Sequence, residues 1–161
     1  MSPRAAWRLE SLGFSDVYDF VPGKAAWLAM GWTSEGELAG SLTAGKVARK
    51  DIPSARIGET VGDAHRRAAE SGLDLCLVVN KAEIYMGRLR GRSLEADPTM
   101  PVEMAMEHGS STVRPSEPLE GLVKRMTKHA VDSIVVSDLK GRLIGALLLP
   151  DAQQALDSLS G

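Results

Sequence analysis

Apolar and polar residues fall in clear blocks along residues 133–151, SIVVSDLKGRLIGALLLPD. Ile134, Val135 and Val136 form one apolar run, residues 137–142 a polar turn, and residues 143–149 a second apolar run. Asp138 and Gly141 accept turn geometries that other residues resist. The pattern predicts strand, hairpin and strand, then a helix opened by Pro150 and Asp151. Ahead of it, Leu119, Leu122, Val123 and Met126 recur at helical spacing and predict an amphipathic helix. Ser116 is the expected N-cap of that helix, with Pro118 in its first turn. Thr112-Val113-Arg114 reads as a short entry strand.

The same pattern occurs once before. A shift of 58 positions carries Ile134-Val135-Val136 onto Cys76-Leu77-Val78, Asp132 onto Asp74, Asp138 onto Asn80, Gly145 onto Gly87 and Leu147 onto Leu89, without a gap. A fixed offset with the apolar positions in phase marks an internal repeat. Two copies are too few for a solenoid, so two units packed face to face are expected. In the first copy, Thr60 followed by Asp63 predicts a helix start. Val61, Ala64, Ala68 and Ala69 give that helix its stripe, and Gly72 ends it. Strands are expected over 75–79 and 84–89, then a short helix from Gly91 or Arg92 that Asp97-Pro98 ends. Each copy thus reads strand, helix, strand, strand, helix, and the expected fold class is α+β.

The remaining chain divides by composition. Residues 1–32 hold all three tryptophans, both phenylalanines and one of the two tyrosines, so they bury apolar surface against something. A helix over 3–12 ended by Gly13, a strand over 17–20, a turn at Pro22-Gly23 and a helix over 24–30 are expected there. Residues 33–50 are rich in Gly, Ser and Thr and read as a linker. The first repeat is assigned to 51–100 and the second to 101–161.

Charge and cysteine usage narrow the chemistry. The formal net charge of −2 argues against a nucleic-acid or membrane surface, which needs a basic face. No apolar run approaches the roughly 20 residues needed to span a bilayer, and residues 1–10 lack the apolar core of a signal peptide. Cys76 is the only cysteine, which excludes an intrachain disulfide and a cysteine-rich zinc site. A reducing, cytoplasmic setting is expected. Cys76 lies mid-strand and is expected to be buried and inert. His65, His108 and His129 show no metal spacing and read as surface residues. Met100, Met104 and Met106 are expected to pack in the connection between repeats. No nucleophile stands with a base, so no catalytic site, no metal site and no enzyme is expected.

In the second repeat the residues Thr112-Val113, Pro115-Ser116, Pro118-Leu119, Val123, Met126, Ile134-Val135-Val136, Asp138, Gly141, Leu143-Ile144-Gly145 and Asp151 resemble the CBS domain, which occurs in pairs called Bateman modules. The resemblance spans about residues 47–159. It implies a regulatory module that binds an adenine nucleotide such as AMP or ATP between the repeats and signals to an effector protein. It also implies a homodimer, with the stripe from Leu119 to Met126 as one of its faces. The family's signature is a Gly at the end of the return strand, a Thr or Ser three residues on, and an Asp three beyond. Here the second repeat has Gly145, Leu148 and Asp151, which retains the ribose acceptor and loses one phosphate contact. The same resemblance brings Thr112, Val113, Ser133 and Ala146 to the ligand. The first repeat has Gly87, Arg90 and Ser93, and Arg90 and Arg92 are offered to phosphates. A solvated basic edge is the bland alternative for these arginines, and a favourable charge at a helix start is the alternative for Asp151. A structural or dimerisation module that binds nothing is the alternative for the whole.

Residues 5–32, AAWRLESLGFSDVYDFVPGKAAWLAMGW, resemble the C-terminal end of a rhodanese-like domain. That family's catalytic cysteine would fall before Met1, and no cysteine precedes Cys76. The block is therefore expected to be a packing remnant of a longer original. A remnant of a rhodanese sulfurtransferase is the further functional alternative.

Overall fold

The computed structural model describes residues 8–18, 22, 26–27, 30, 32, 41–108 and 111–160. The elements in chain order are α1 (Ala44–Val47), β1 (Ser54–Arg56), α2 (Val61–Ser71), β2 (Cys76–Val79), β3 (Tyr85–Leu89), a 3-10 turn (Gly91–Ser93), α3 (Val102–Ala105), β4 (Thr112–Val113), α4 (Leu119–Lys128), β5 (Ser133–Ser137), β6 (Leu143–Leu148) and α5 (Leu149–Ser160).

The offset seen in the sequence is kept by the backbone. Two three-stranded sheets form, ordered β1-β2-β3 and β4-β5-β6. In each, the first pair is parallel and the second antiparallel. Val78 pairs with Gly87 as Val136 pairs with Gly145, and each hairpin carries a register shift at the next residue. Parallel pairing requires a crossover, which α2 and α4 supply.

Local chemistry accounts for the helix ends. Thr60 Oγ1 accepts the Asp63 amide at 3.2 Å, the cap the sequence implies, and Gly72 closes α2 at φ 68°. Val61, Ala64 and Ala68 of α2 are buried; Ala69 is exposed, contrary to expectation. Ser116 is not the cap of α4, which begins after Pro118. There the Leu119 amide donates to the Leu42 carbonyl at 3.0 Å, so a backbone group from another segment replaces a side-chain cap. The short helix expected after β3 is only the 3-10 turn, closed by Ser93, whose hydroxyl accepts from the Arg90 amide at 2.8 Å. The chain then turns back to the start of α2, where the Gly62 and Val61 amides donate to the carbonyls of Pro98 and Met100.

Residues 41–50, expected as linker, are built into the module. Thr43 pairs with Pro118 and Arg49 with Ala146, while the Ala44 amide donates to the Glu117 carbonyl. Ala44 and Ala48 join the core of the second repeat. Shifted by 58, the same contacts recur: Pro101 pairs with Thr60, Glu107 with Arg88, and the Val102 amide donates to the Glu59 carbonyl. Val102 and Met106 join the core of the first repeat. Each repeat is thus completed by the segment that precedes the other. This exchange explains both signature glycines. A Cβ at Gly145 would run into the carbonyl oxygen of Arg49, and one at Gly87 would sit 2.7 Å from that of Glu107.

Ile52, Leu75, Leu77, Val135 and Ala146 fill the space between the sheets. Leu119, Leu122, Val123 and Met126 all lie within the core of the second repeat. That stripe is therefore not the face offered to a second copy; the expectation that it would be is corrected by α1 and α5, which cover it. Of the three connection methionines, Met106 is buried and Met104 is 74% exposed. Half of the block 1–32, including 19–20 of the expected strand and 24–25 and 28–29 of the expected helix, lies outside the described residues. Within it, residues 8–11 are helical, Gly13 follows at φ 92°, and the Trp27 and Trp32 rings meet edge to face at 4.7 Å.

Candidate functional site

Strands β3 and β6 end side by side, and beyond their ends a cleft of about 720 Å³ opens between the repeats. Asp74, Leu75, Arg90 and Arg92 line it from the first repeat, and their counterparts Asp132, Ser133, Leu148 and Pro150 from the second. The cleft therefore straddles the axis relating the repeats. Ser93 and Glu107 complete its wall.

Asp151 follows Pro150 in the first turn of α5 and is half-buried. Its carboxylate makes no hydrogen bond or ion pair with a described residue. Its charge reaches Arg49, whose guanidinium is held above its ordinary pKa first by hydrogen bonds to Asp51, at 3.0 and 2.7 Å, and further by Asp151. Asp51 is correspondingly pushed down. Asp151 is thus an acceptor with its lone pairs open at a helix start, where negative charge is favoured.

The arginines are divided. Arg90 Nη1 donates to Asp132 Oδ1 at 3.0 Å and its Nε lies 3.5 Å from Glu107 Oε2. Arg88 Nε donates to the same Glu107 oxygen at 3.1 Å. Arg90 therefore ties the two repeats together across the cleft. Arg92 lines the cleft, is exposed, and forms no ion pair with a described residue.

Ala146 lines neither the cleft nor the cavity behind β4. It is fully buried, and both its backbone groups are taken by Arg49, at 2.9 and 3.0 Å. The exchanged segment crosses β6 there, and the Ala146 methyl packs between the sheets.

Thr112, Val113 and Ser133 line a second cavity of about 470 Å³, behind β4, together with Arg88, Arg125, Met126 and His129. Ser133 belongs to the walls of both cavities. His129, expected at the surface, is exposed, as is Arg125; the two lie four residues apart, with His129 capping α4, and the fold brings Arg88 to the same cavity. Among the described residues no group of three or more His, Cys, Asp or Glu could hold a metal ion. Cys76 is buried, and its thiol is pushed up to about 12 by that burial, so it offers no thiolate.

A family model described as CBS domain matches residues 102–157. No curated protein matches the chain in sequence. Solved structures with the same architecture include the CBS domain pair of protein MJ0100 in complex with 5′-methylthioadenosine and S-adenosyl-L-methionine, at TM-score 0.64 and 15% identity over 74% of this chain and 98% of that one. The fold is that of a CBS domain pair. CBSX2 in complex with AMP is similar at TM-score 0.66 and 18% identity, over 74% of this chain and 99% of that one. The cytosolic domain of the Mg2+ channel MgtE in complex with ATP is similar at TM-score 0.64 and 25% identity, over 73% of this chain. The present chain spans about half of that domain, 51%. No helix among the described residues is long and apolar enough to cross a membrane. In this chain the exchanged segments pair with β3 and β6, and Arg90, Ser93 and Leu148, three and six beyond Gly87 and three beyond Gly145, line the central cleft.

Proposed function

We propose that the chain is a regulatory module whose two repeats, 51–100 and 101–161, hold an adenine nucleotide such as AMP or ATP in the central cleft. The observation that carries this reading is the open cleft on the axis between the repeats; Asp151 is not itself in its lining but follows the lining residue Pro150 in the chain. Its volume of about 720 Å³ falls within the roughly 300–1,000 Å³ of small-molecule sites. Asp151 accepts both ribose hydroxyls, Ser133 supplies a hydroxyl in the wall, Arg92 supplies a free charge, and Thr112 stands in the adjoining cavity that shares Ser133. Binding shifts the balance between two arrangements of the repeats, with a coupling of about 1–3 kcal/mol. The signal passes to an effector protein or to a second copy of the chain; no step of catalysis is assigned. Residues 1–32 are assigned no sulfur transfer; contrary to the expectation of a packing block, Leu12, Phe14, Tyr18 and Trp32 are exposed.

Calorimetric titration with AMP, ADP and ATP tests the reading. Asp151→Ala is expected to weaken binding at least about tenfold, because a hydrogen bond to a charged group contributes about 1.5–3 kcal/mol. Ser93→Ala is expected to change little. Equal binding by wild type and Asp151→Ala would reduce Asp151 to a helix-start charge. Absence of binding at millimolar nucleotide would favour the second reading, a structural or dimerisation module. That reading draws on Arg90, which already fills part of the cleft with its pairs to Asp132 and Glu107.

A further inference from the structure

We propose that the end of the module formed by the two hairpin tips is a docking surface for an acidic segment of an effector protein that also carries an apolar side chain. This names the partner that the regulatory reading leaves open, and rests on that reading only for what the contact is used for.

The tips form one surface built by both repeats. Ile84 and Arg142 face each other in an antiparallel bridge, the Tyr85 amide donates to the Gly141 carbonyl at 3.0 Å, and the Leu143 amide to the Glu83 carbonyl at 2.9 Å. Each turn is also fixed by a side chain of its own. Asn80 Oδ1 accepts the Ala82 and Ile84 amides at 2.9 and 3.0 Å. Asp138 Oδ1 accepts the Lys140 and Arg142 amides, both at 2.8 Å. Side chains on turns held in this way are presented from a set backbone, which lowers the ordering cost of binding.

Positive charge gathers here in a chain whose net charge is −2. Of the carboxylates at this end, Glu83 is paired with Arg56 at 2.8 Å and Asp138 is occupied by its own turn. Lys81, Lys140 and Arg142 are exposed, and their side chains make no hydrogen bond or ion pair with a described residue. Arg114, beneath the second tip, donates only to uncharged oxygens, the carbonyls of Ser137 and Asp138 and the Ser137 hydroxyl. The excess charge steers and selects an acidic partner. Two large apolar side chains stand exposed at the same end. Leu139, in the second tip, is 45% exposed, and Ile57, whose amide donates to the Val79 carbonyl beside the first hairpin, is 40% exposed. The fold does not require either: Lys81 is the counterpart of Leu139, and the buried Pro115 that of Ile57. Apolar anchors bordered by charge suit a protein partner; a nucleic acid or a membrane needs a broader basic face. Strands β3 and β6 start at these tips and end at the central cleft. A shift of the repeats made in the cleft therefore changes how Lys81 stands relative to Lys140.

Fluorescence anisotropy of a labelled peptide of Glu-Glu-Leu repeats, titrated with the full chain at about 0.15 M salt and without nucleotide, tests the surface. Saturable binding is expected. Lys81→Glu and Lys140→Glu should each weaken it roughly fivefold, and Leu139→Ser should weaken it severalfold. Lys128→Glu, the same charge reversal at the far end of α4, should leave it unchanged, and a peptide of Glu-Glu-Ser repeats should bind more weakly. No saturable binding at millimolar chain overturns the proposal. So does an equal loss with Lys128→Glu, or binding indifferent to both Leu139→Ser and the serine peptide, since either would reduce the surface to diffuse charge. Equal or tighter binding of duplex DNA or of phosphatidylserine vesicles would also overturn it. Because nucleotide is left out, failure here removes the docking surface and leaves the cleft untouched, while failure of AMP and ATP to bind leaves the docking surface standing.

Discussion

Ile84 lies opposite Arg142 in an isolated antiparallel bridge, and the two are the same position of the two repeats. The bonds around them come in twins. The Tyr85 amide donates to the Gly141 carbonyl at 3.0 Å, and the Leu143 amide to the Glu83 carbonyl at 2.9 Å. A residue that meets its own counterpart marks the pseudo-twofold axis. The hairpin tips meet on this axis at one end of the strands, and the central cleft opens on it at the other.

The exchanged segments make the two signature glycines steric requirements. Gly145→Ala is expected to destabilise the chain by about 1–3 kcal/mol or more, since the backbone carbonyl of Arg49 stands in the way. Gly87→Ala should cost less, because the Met106 side chain, 2.8 Å from the added Cβ, can swing aside, although the Glu107 carbonyl cannot. Urea unfolding of both variants checks the order; equal stability of Gly145→Ala and wild type would mean that the crossing segment detaches freely.

Thr60 and Ser116 occupy counterpart approaches to α2 and α4 but differ in role. Thr60→Ala should cost about 1 kcal/mol through loss of the cap on the Asp63 amide. Ser116→Ala should stay within about 0.5 kcal/mol, as expected of sites without a special role. Thermal unfolding distinguishes them, and comparable losses would restore Ser116 as a cap.

Much of this architecture was legible in the chain because strands and amphipathic helices leave periodic marks. Ile134 to Val136 and Cys76 to Val78 are the same strand, and the offset between them fixes the pairing of β5 with β6 and of β2 with β3. The exchange was not legible. Helix α1 has four residues, too few for a period, and its Gly45 and the surrounding Ser and Thr resemble a linker. A Cβ at Gly45 would fall 2.7 Å from that of Pro115, so that glycine serves close packing rather than flexibility. The burial of Ala146 was hidden for the same reason, since nothing nearby in sequence reveals that Arg49 covers it. His129 was read as a surface residue, and it is exposed.

Cys76 should behave as a core residue. Burial lifts its thiol to about 12, so it remains protonated across the physiological range. Native chain is expected to be inert to a disulfide-exchange reagent, to react fully once unfolded, and to show no thiosulfate sulfurtransferase turnover above buffer. Rapid labelling of the native thiol, or turnover abolished by Cys76→Ser, would contradict this.

Acid should loosen the first repeat. The hydrogen bonds from Arg67 hold Glu59 below its ordinary value of 4.5, and Thr60, then Arg66, hold Asp63 below 3.8. Groups with depressed folded values contribute stability that is fully present above the unfolded value and lost as pH falls through the folded one. The midpoint temperature should therefore be flat from neutral pH to about pH 5 and decline below about pH 4. Glu59→Gln should flatten the decline; a curve parallel to that of wild type would assign the acid sensitivity elsewhere.

The exchange of segments also bears on how the chain is made. A growing chain emerges from its N-terminus, and simple domains close as they appear. The first repeat cannot do so. Val102 and Met106, which belong to its core, are synthesised after its last strand. The second repeat, in turn, needs Ala44 and Ala48, made long before it. Neither half reaches its buried state until the ribosome has passed the end of α3, and residues 41–49 must wait uncovered for β6 to arrive. Emergence of β6, which brings Ala146 to Arg49, rather than completion of the first half, is the event at which the two repeats become one cooperative unit.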